Sequence, residues 1–382
     1  MRVGVVGFGV AGAATSALLA RAGHEVTLFE RAPEIEPVGA GVLLQPSGQL
    51  VLDRLCLLES VRTGAARVDE LVALSPSGRT ISRLRYGDLR PGLHALGVHR
   101  GDLIDVLAGL VARAGVEVRL GEEISGADDE RLRGFDLVVA ADGSRSALRA
   151  DSGLVRWEHE YAWGALWAIG EGSSVAGRLH QVSHGTTSLV GVLPLGKGRC
   201  NLFCSIRGDR VDALRHRPFE AWTTEVAALC PEAAEPLASL DGWQDTRFTT
   251  YRHAVLRRPF TGRIVLVGDA AHPMSPHLGQ GINLALIDAW LLAEAVGATP
   301  SVGEALRRYA ASRSRQIRWY GAVTLGLTPF FQSNGVVKGL GRDAALPFLP
   351  RIPGVRRAML RTLAGVALGP GDLGGELGDL GR

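Results

Sequence analysis

A glycine hexad near the start of the chain constrains the fold more than any other feature. Gly7-Phe-Gly9-Val-Ala-Gly12 lies between a β-branched run, Val3–Val6, and an alanine-rich segment of helical character, Ala13–Ala22. In a strand–turn–helix unit the first glycine permits the tight turn, the second lets the backbone approach a pyrophosphate, and the third allows close helix–strand packing. The hexad therefore predicts an α/β fold with a dinucleotide site, without distinguishing NAD from FAD.

An acidic residue follows the second predicted strand at the spacing that such a site requires. His24–Phe29 is rich in β-branched and aromatic residues, and Glu30 comes 18 residues after Gly12, close to the expected ~20. A carboxylate there accepts hydrogen bonds from the adenosine ribose hydroxyls and repels a 2′-phosphate. With this acid in place, a dinucleotide site is favoured over a glycine-rich junction that binds nothing.

Charge and composition exclude several other classes of protein. The uncharged run Val3–Ala20 has the length of a membrane span, but four glycines interrupt it, and a buried strand–turn–helix explains the same hydrophobicity. The 42 basic and 39 acidic residues leave a net charge of +3, which does not indicate a nucleic-acid partner. The four cysteines form no CxxC pair and the ten histidines lack metal-ligand spacing. We therefore expect a cytoplasmic protein without a disulfide framework or a metal site.

A second glycine-containing motif follows a buried strand in the first half of the chain. Asp142-Gly143 comes directly after Phe135–Ala140, and Ser146 and Arg149 lie at the start of a predicted helix. Asp-Gly at the end of a strand is most often only a turn. The serine and the arginine at the start of the helix favour a functional motif over a simple turn.

A third motif places a carboxylate at the end of another buried strand. Asp269 follows Arg263–Val267, and α/β folds bind ligands at the carboxyl ends of their strands, where a carboxylate can hold a polyhydroxy chain. The segment Pro276–Gly281 is poor in side chains, so that a flat ring could lie against it. The helix predicted to begin at Gly281 then points its N–H donors at that ring.

The middle of the chain has a different pattern. His180–Ser183, Ser188–Leu193 and Cys200–Ile206 resemble strands separated by His184-Gly185 and by Gly196-Lys-Gly198. These are hairpin signals and predict an antiparallel sheet. Because the buried-strand pattern returns near residue 263, the first domain resumes after an insertion.

The three motifs, in this order, resemble those of the FAD-dependent monooxygenases of the para-hydroxybenzoate hydroxylase type. Gly7–Gly12 matches the FAD fingerprint of that family, Asp142-Gly143 its second motif and Gly268-Asp269 its third. Arg100 heads a helix as the FAD-contacting arginine of the family does, and Gly41-Val42 lies where the loop passes the flavin. The match covers roughly residues 1–330, and only its flavin half is specific.

The resemblance implies an α/β fold with a Rossmann-like FAD-binding domain (GR2-type, split in sequence), an inserted antiparallel β-sheet substrate domain and a C-terminal helical segment. We expect the FAD-binding domain at 1–70, 96–152 and 256–325, the substrate-binding domain at 71–95 and 153–255, and a helical cap with a flexible tail at 326–382. The motifs and the resemblance together assign cofactor contacts to Gly7, Gly9, Val10, Ala11, Gly12, Glu30, Arg31, Gly41, Val42, Arg100, Asp142, Gly268, Asp269, Pro276, Gly279, Gly281, Ile282 and Asn283.

The resemblance also implies a reaction. In such enzymes NAD(P)H, bound transiently and without a second fingerprint, reduces the flavin, and a flavin C4a-(hydro)peroxide then hydroxylates or epoxidises an aromatic or polycyclic small molecule with O₂. No catalytic acid or base is assigned. The candidate substrate-lining residues are Trp163, Trp167, His180 and Tyr251, although for each of them a place in the core or on the surface is favoured over a direct role, because buried aromatic residues are common.

Three alternatives remain open at this point. The chain could be an FAD-dependent reductase or dehydrogenase that does not use O₂, or a flavin-bound cyclase or scaffold without net redox chemistry. Phe330-Phe331, Phe348 and four arginines near the end of the chain give a faint pattern of membrane-surface attachment. A helical cap on the FAD domain is the preferred interpretation, with no membrane contact, and we expect a monomer or a homodimer.

Overall fold

The computed structural model describes residues 1–35 and 39–369. The strands in these residues are β1 (Arg2–Val6), β2 (Glu25–Glu30), β3 (Gly41–Leu44), β4 (Ala66–Leu74), β5 (Thr80–Arg85), β6 (Ala95–His99), β7 (Glu117–Leu120), β8 (Leu137–Ala140), β9 (Val155–Glu171), β10 (Gly177–His184), β11 (Ser188–Gly196), β12 (Arg199–Arg207), β13 (Arg247–Leu256), β14 (Phe260–Thr261) and β15 (Ile264–Leu266). The α-helices are α1 (Val10–Arg21), α2 (Pro46–Arg54), α3 (Leu58–Arg62), α4 (Arg100–Arg113), α5 (Ala147–Asp151), α6 (Val211–Arg215), α7 (Phe219–Leu229), α8 (Ala234–Ala238), α9 (Gly281–Ala298), α10 (Val302–Phe331), α11 (Val336–Ala345) and α12 (Pro353–Leu363).

The first sheet has six strands in the order β14-β15-β8-β1-β2-β7, and all of its pairs are parallel except β14–β15. Its central strands are buried on both faces, as parallel sheets are. Val3 and Val5 belong to the core formed with α1 and α9, whereas Val6 and Val138 belong to a second core on the opposite face. The predicted α/β fold is thereby confirmed, and β15, which comes late in the chain, pairs in parallel with β8 in this sheet.

The second sheet has nine strands, in the order β13-β9-β12-β11-β10-β4-β6-β3 with β5 beside β4. Its pairs are antiparallel as predicted, except that β10 and β4 run parallel. The sheet also takes strands from outside the predicted substrate segments 71–95 and 153–255, because β3, the start of β4 and most of β6 pair within it. The chain thus crosses between the sheets more often than its composition suggests.

Helix α9 lies in the centre of the molecule. It packs against α1, α2 and α10 and supplies buried residues along most of its length. By length and hydropathy alone α9 could cross a membrane, but 61% of it is buried inside the protein. Its apolar composition is therefore that of a core helix.

The C-terminal segment is helical, as predicted, but its first helix begins earlier than residue 326. Helix α10 runs without interruption from Val302 to Phe331, so the predicted boundary falls inside one element. Helices α11 and α12 follow it. Phe348 is 56% exposed. The predicted flexible tail lies, from residue 370 onward, outside the described residues.

Candidate active site

The glycine hexad forms the turn between β1 and α1. Gly7 has a φ of +101°, which side chains disfavour, and its N–H donates to the Phe29 carbonyl at 2.8 Å. A Cβ at Gly12 would lie 1.9 Å from the Gly7 carbonyl oxygen, whereas a Cβ at Gly9 would meet no atom within 4 Å. The turn is therefore closed at its base and open at Gly9, which leaves room for a phosphate at the helix N-terminus.

Val10 and Ala11 contribute to this site through their backbone. Their side chains are buried in the core, and the first hydrogen bond at this end of α1 joins the Ala13 N–H to the Gly9 carbonyl at 2.9 Å. The N–H groups that come before Ala13 in the first helical turn have no acceptor within the helix, because no turn of helix precedes them. They are the donors that a pyrophosphate would accept.

Glu30 ends β2 beside the hexad. Its carboxylate accepts hydrogen bonds from the backbone N–H of Phe8 at 2.6 Å and of Ala32 at 2.9 Å. Glu30 is partly exposed and the following Arg31 is exposed. The acid therefore braces the turn that carries the hexad, and its remaining lone pairs stay available to a ribose.

The second motif supplies an acceptor without a partner. Asp142 accepts a hydrogen bond from the Leu148 N–H through Oδ2 at 3.3 Å, while its Oδ1 is buried and has no hydrogen-bond partner in the described part of the chain. Gly143 has a φ of +82°, a conformation that glycine adopts without strain. An orphaned carboxylate oxygen beside the cleft fits a site that awaits a ligand.

Arg149 joins the second motif to the third. Its side chain is only 2% exposed, and Nη1 donates to the carbonyls of Asp269 at 3.2 Å and Ala270 at 3.0 Å. Nη2 donates to the carbonyl of Ser144 at 2.6 Å and to the carboxylate of Glu158 at 2.9 Å. This arginine therefore fixes the distance between the two loops that follow β8 and β15.

Beneath the third motif lies a buried carboxylate that the sequence analysis missed. Asp288 of α9 accepts hydrogen bonds from the Gly268 N–H at 2.8 Å, from His272 Nε2 at 2.6 Å and from Arg313 Nε at 2.6 Å. Burial alone raises the pKa of Asp288, but Arg313 and His272 outweigh burial and hold that pKa well below its usual range. Asp288 interrupts the otherwise apolar residues 284–292 of α9, and this was the available signal, since buried carboxylates are rare without a partner.

Asp269 itself faces the cleft. Its side chain is exposed there, and a Cβ at Gly281 would lie 3.7 Å from its Oδ1. The walls of the cleft limit hydration of the carboxylate and raise its pKa, although His272, Arg100 and Arg149 act in the opposite direction. Asp269 thus presents an acceptor to the cleft next to the N-terminus of α9.

The loop before α9 is shaped by glycine and by Asn283. Gly279 has a φ of +59°, and the fully buried Asn283 side chain donates to the carbonyls of Leu43 at 3.1 Å and Gly279 at 2.9 Å. It also accepts from the Gln45 N–H at 2.8 Å. The side chain predicted to contact the cofactor is therefore occupied by backbone, and only the backbone N–H of Asn283 points with those of Gly281 and Ile282 from the start of the helix.

Arg100 and Gly41 lie on the opposite side of this loop. A Cβ at Gly39 would lie 2.8 Å from two side-chain atoms of Arg100, so that the loop passes directly over the arginine stem. The Gly41 N–H donates to Asn201 Oδ1 at 2.9 Å, which attaches the loop to the second sheet. Val42 lines the same cleft.

A cavity of about 510 Å³ lies between these loops and the second sheet. Its loop side includes Gly41, Arg100, Asp269, Pro276 and Gly281. Its sheet side combines the apolar and aromatic side chains of Leu71, Ala165, Trp167, Leu179, Leu189, Leu193 and Phe203 with the polar side chains of Gln181, Asn201, Ser205, Thr249 and Thr250. The arrangement places a largely apolar chamber against the segments predicted to hold a flat ring.

Two of the four predicted substrate-lining residues line this cavity and two do not. Trp167 and Tyr251 are part of its wall. His180 lies on the other face of β10, because its neighbours Leu179 and Gln181 face the cavity and side chains alternate along a strand. Trp163 lies on β9 beyond Ala165, the first residue of that strand in the wall. The predictions for His180 and Trp163 are corrected accordingly.

At one end of the cavity the predicted Tyr251 is joined by two polar residues that were not predicted, His277 and Gln332. Burial raises the pKa of Tyr251, against the effect of the nearby Gln332 side chain. Burial lowers the pKa of His277 to about 4, also against the effect of Gln332, and both His277 Nε2 and Gln332 Oε1 lack a hydrogen-bond partner among the described residues. These residues come from β13, from the loop before α9 and from the end of α10, so no local pattern in the sequence connects them.

These features fit the chemical groups of FAD. The open hexad, the orphaned oxygen of Asp142, the cleft-facing Asp269 and the free N–H groups of α9 are acceptors and donors of the kinds that a pyrophosphate, a ribityl chain and a flavin ring require. Fold and site together define a flavin-dependent oxidoreductase with a separate chamber for a small molecule.

Comparison with known proteins identifies the family. Residues 1–318 match the family described as FAD binding domain. Aurachin C monooxygenase/isomerase of Stigmatella aurantiaca is 30% identical over an alignment of 333 residues, and the match covers 81% of this chain and 84% of that protein. The 3-amino-4-hydroxybenzoate 2-monooxygenase of Streptomyces cremeus is 31% identical over an alignment of 338 residues, and the match covers 82% of this chain and 83% of that one.

The fold is also that of a solved flavoprotein. The structure of Klebsiella pneumoniae HpxO complexed with FAD and uric acid aligns with a TM-score of 0.80 at 21% identity, and covers 96% of this chain and 97% of that one. The chain belongs to the FAD-binding-domain family of aromatic-hydroxylase-type flavin monooxygenases. The resemblance drawn from the three motifs, FAD as the cofactor and monooxygenase as the enzyme class are confirmed.

Proposed function

We propose that this chain binds FAD from the hexad to the loop before α9 and hydroxylates an uncharged aromatic small molecule held against the second sheet. The observation that carries the proposal is the cavity of about 510 Å³, which has the acceptors and donors for FAD on one side and apolar side chains on the other. A substrate in this chamber lies next to the loop Pro276–Leu278.

Bound FAD supplies the transfer of electrons from NAD(P)H to O₂ and of one oxygen atom to the substrate. Residues of the chain bind and orient it. The N-terminus of α1 offers donors to the pyrophosphate, Glu30 offers acceptors to the ribose, and Asp269 offers acceptors to the ribityl chain. The N–H groups at Gly281 and Ile282 would donate to the flavin ring and would stabilise negative charge on it.

The charges around the cavity support an uncharged substrate. Among the described residues of its wall, the charged ones besides histidine are Arg100, Arg252 and Asp269. Arg252 is already paired with Glu160 at 2.8 Å and Glu158 at 3.4 Å, and Arg100 lies on the side of the flavin loops. No other cation among the described lining residues would pair with a substrate carboxylate, whose burial without a partner is costly.

The compounds in the relatives' names agree with an uncharged substrate to different degrees. One relative is named for 3-amino-4-hydroxybenzoate, a ring that bears a carboxylate, and another for aurachin C. The apolar sheet side, with Phe203 and Trp167, supports a bulky uncharged ring rather than a small acid. The same apolar wall excludes water from the reacting atoms.

The proposal is tested with the FAD-loaded protein and two kinds of ring. O₂ uptake is followed with NADH or NADPH, with 4-hydroxyquinoline as an uncharged bicyclic compound and 4-hydroxybenzoate as a small acid. We expect the uncharged ring to stimulate uptake and to acquire one ¹⁸O atom from ¹⁸O₂. NAD(P)H oxidation that continues unchanged without O₂ would instead indicate a reductase, and flavin that NAD(P)H does not reduce would indicate a scaffold.

Two tryptophans on the same strand provide a matched pair of variants. Trp167 lines the cavity and donates through Nε1 to Thr249 at 3.1 Å, whereas Trp163 lies outside the wall. We expect Trp167→Ala to raise KM for the stimulating ring about tenfold, or about 1.4 kcal/mol, while Trp163→Ala leaves KM unchanged. Equal effects of the two substitutions would place the substrate elsewhere.

A further inference from the structure

A second cluster of reactive side chains lies on the far face of the substrate sheet. His180 belongs to β10, Cys230 follows α7, and Glu232 lies in the short 3₁₀ turn Pro231–Ala233. One donor atom from each of these side chains lies within 4.8 Å of the other two. Because Leu179 and Gln181 face the cavity, His180 points to the opposite side, into the core formed with α7 and α8.

The distances between these donors are close to those of a metal site. His180 Nε2 lies 3.1 Å from Glu232 Oε2, and Cys230 Sγ lies 3.9 Å from the same oxygen. Zinc binds nitrogen and oxygen at ~2.0–2.2 Å and sulfur at ~2.3 Å, so tetrahedral ligands stand roughly 3.3–3.6 Å apart. The three side chains need shift by less than about 1.5 Å to share one ion.

The burial of His180 is not balanced by hydrogen bonds within the described part of the protein. It is 2% exposed, yet neither ring nitrogen forms a hydrogen bond of acceptable geometry with any residue in the described ranges 1–35 and 39–369. A buried polar group without a hydrogen bond costs about 1–3 kcal/mol. Burial also lowers the pKa of His180, against the effect of Glu232, and both ring nitrogens lack a hydrogen-bond partner among the described residues.

We propose that His180, Cys230 and Glu232 bind one divalent transition-metal ion, and that zinc suits them best. The mixture of imidazole, thiol and carboxylate is a ligand set of zinc sites. A thiolate, a carboxylate and a neutral imidazole together cancel the charge of the ion. The Glu232 side chain is 27% exposed, which gives the ion an entry path and a water molecule as its fourth ligand.

Binding of the ion requires one proton to leave. Burial and the neighbouring Glu232 raise the pKa of the Cys230 thiol to about 12, so the metal-free thiol is protonated. As the metal–sulfur bond forms, the S–H bond breaks and the proton passes to solvent. In the metal-free protein Glu232 also faces Arg178, with Nη2 3.7 Å from Oε1, and this contact uses the oxygen that does not face His180.

The site would attach the covering helices to the substrate sheet. Cys230 and Glu232 lie between α7 and α8, while His180 lies on the strand that presents Leu179 and Gln181 to the cavity. A metal bound here fixes the back of that strand. Its role is therefore structural and separate from the binding of FAD.

The test uses untagged, FAD-loaded protein that is stripped with a chelator and loaded with zinc. We expect one zinc per chain, and a zinc X-ray absorption spectrum that shows one sulfur at ~2.3 Å beside nitrogen and oxygen ligands. Cys230→Ser and His180→Gln should weaken zinc binding at least tenfold and remove the rise in unfolding temperature that zinc gives. Cys56→Ser removes an exposed thiol and serves as the control, with unchanged zinc binding.

Two results would overturn the proposal. One is a wild-type spectrum that contains no sulfur ligand, which decides the question even if the variants do not fold. The other is equal zinc content in wild type, Cys230→Ser and His180→Gln. Flavin content should be the same in wild type with and without zinc, so the outcome is independent of the assignment of the FAD site.

Discussion

The carboxylate of Asp288 and the guanidinium of Arg313 meet inside the protein, with 2.6 Å between Oδ1 and Nε. The other carboxylate oxygen accepts from the Gly268 N–H at 2.8 Å, at the residue whose φ of +56° turns the chain toward Asp269. One ion pair thus supports the loop that presents Asp269, the proposed ribityl acceptor, to the cleft.

Asp288→Asn should destabilise the protein strongly. The substitution keeps the size of the side chain but leaves Arg313, which is 2% exposed, as a buried charge without a counter-ion. Breaking a buried pair in this way costs about 3–5 kcal/mol, measured as the free energy of unfolding in urea. Glu59→Gln, which breaks the exposed Glu59–Arg62 pair, should have little effect. Equal losses for the two variants would contradict the role given to Asp288.

Gly9→Ala and Gly12→Ala should separate cofactor binding from folding. A Cβ at Gly9 meets no atom within 4 Å and the residue has a φ of −89°, so Gly9→Ala should fold normally and lose FAD affinity by about tenfold or more, because the methyl group occupies the space for the phosphate. A Cβ at Gly12 would lie 1.9 Å from the Gly7 oxygen, so Gly12→Ala should lower the unfolding temperature. Full flavin retention by Gly9→Ala would refute the pyrophosphate assignment.

Asp269→Asn should release FAD from a folded protein. Its carboxylate faces the cleft and forms no ion pair within 4.0 Å among the described residues, so its loss leaves the core intact. A hydrogen bond to a charged group contributes about 1.5–3 kcal/mol, which predicts a rise in the Kd for FAD of about ten- to a hundredfold. Fluorescence titration of the apoprotein measures this, and the exposed Asp128→Asn is the control. An unchanged Kd would remove Asp269 from the site.

His277 should make stability depend on pH between about 4 and 6.5. Burial lowers its pKa to about 4 in the folded state, from the ordinary histidine value of 6.5. Between these values the unfolded chain binds a proton that the folded chain does not, so stability falls as the pH falls through this window and is fully present above it. In the apoprotein, His277→Gln should reduce the change in the free energy of unfolding across this pH window by up to about 3 kcal/mol.

The measurement for His277 is a series of urea unfolding curves at several pH values. His180 and His253 also have lowered pKa values, so the informative quantity is the difference between the variant and wild type. The exposed His216→Gln should leave the pH dependence as it is in wild type. A variant curve parallel to that of wild type would mean that His277 is not buried in its neutral form.

The parts of the fold that the sequence predicts are those with a local pattern. The hexad, the strand ends at Ala140 and Leu266 and the start of α9 are visible because glycine turns and apolar runs lie next to each other in the chain. The sequence does not predict on which side of the sheet His180 lies. Both faces of β10 are buried, and alternation alone does not say which face meets the cavity.

Contacts between distant segments account for what the sequence does not predict. Asp288 lies 25 residues from Arg313, and Gln332 reaches the cavity from the end of a helix that begins at Val302. His180, Cys230 and Glu232 come from separate elements, so the search for regular ligand spacing does not find them. Strand β3 pairs with β6 through Gly41 and His99. The loop that carries Gly41 therefore belongs to the second sheet, although in the chain it comes soon after the strand–turn–helix of the first sheet.

The hydrogen bonds of Asn283 to Leu43 and Gln45 join positions 240 and 238 residues apart. During translation, the N-terminal strand–turn–helix emerges from the ribosome long before the helix that completes its cleft. In the proposed placement of FAD, a nascent chain that stops short of α9 has the adenosine end of the site but lacks the helix that would hold the isoalloxazine. We therefore expect the coenzyme to be captured late in synthesis, with ribosome-bound intermediates colourless until α9 has been released.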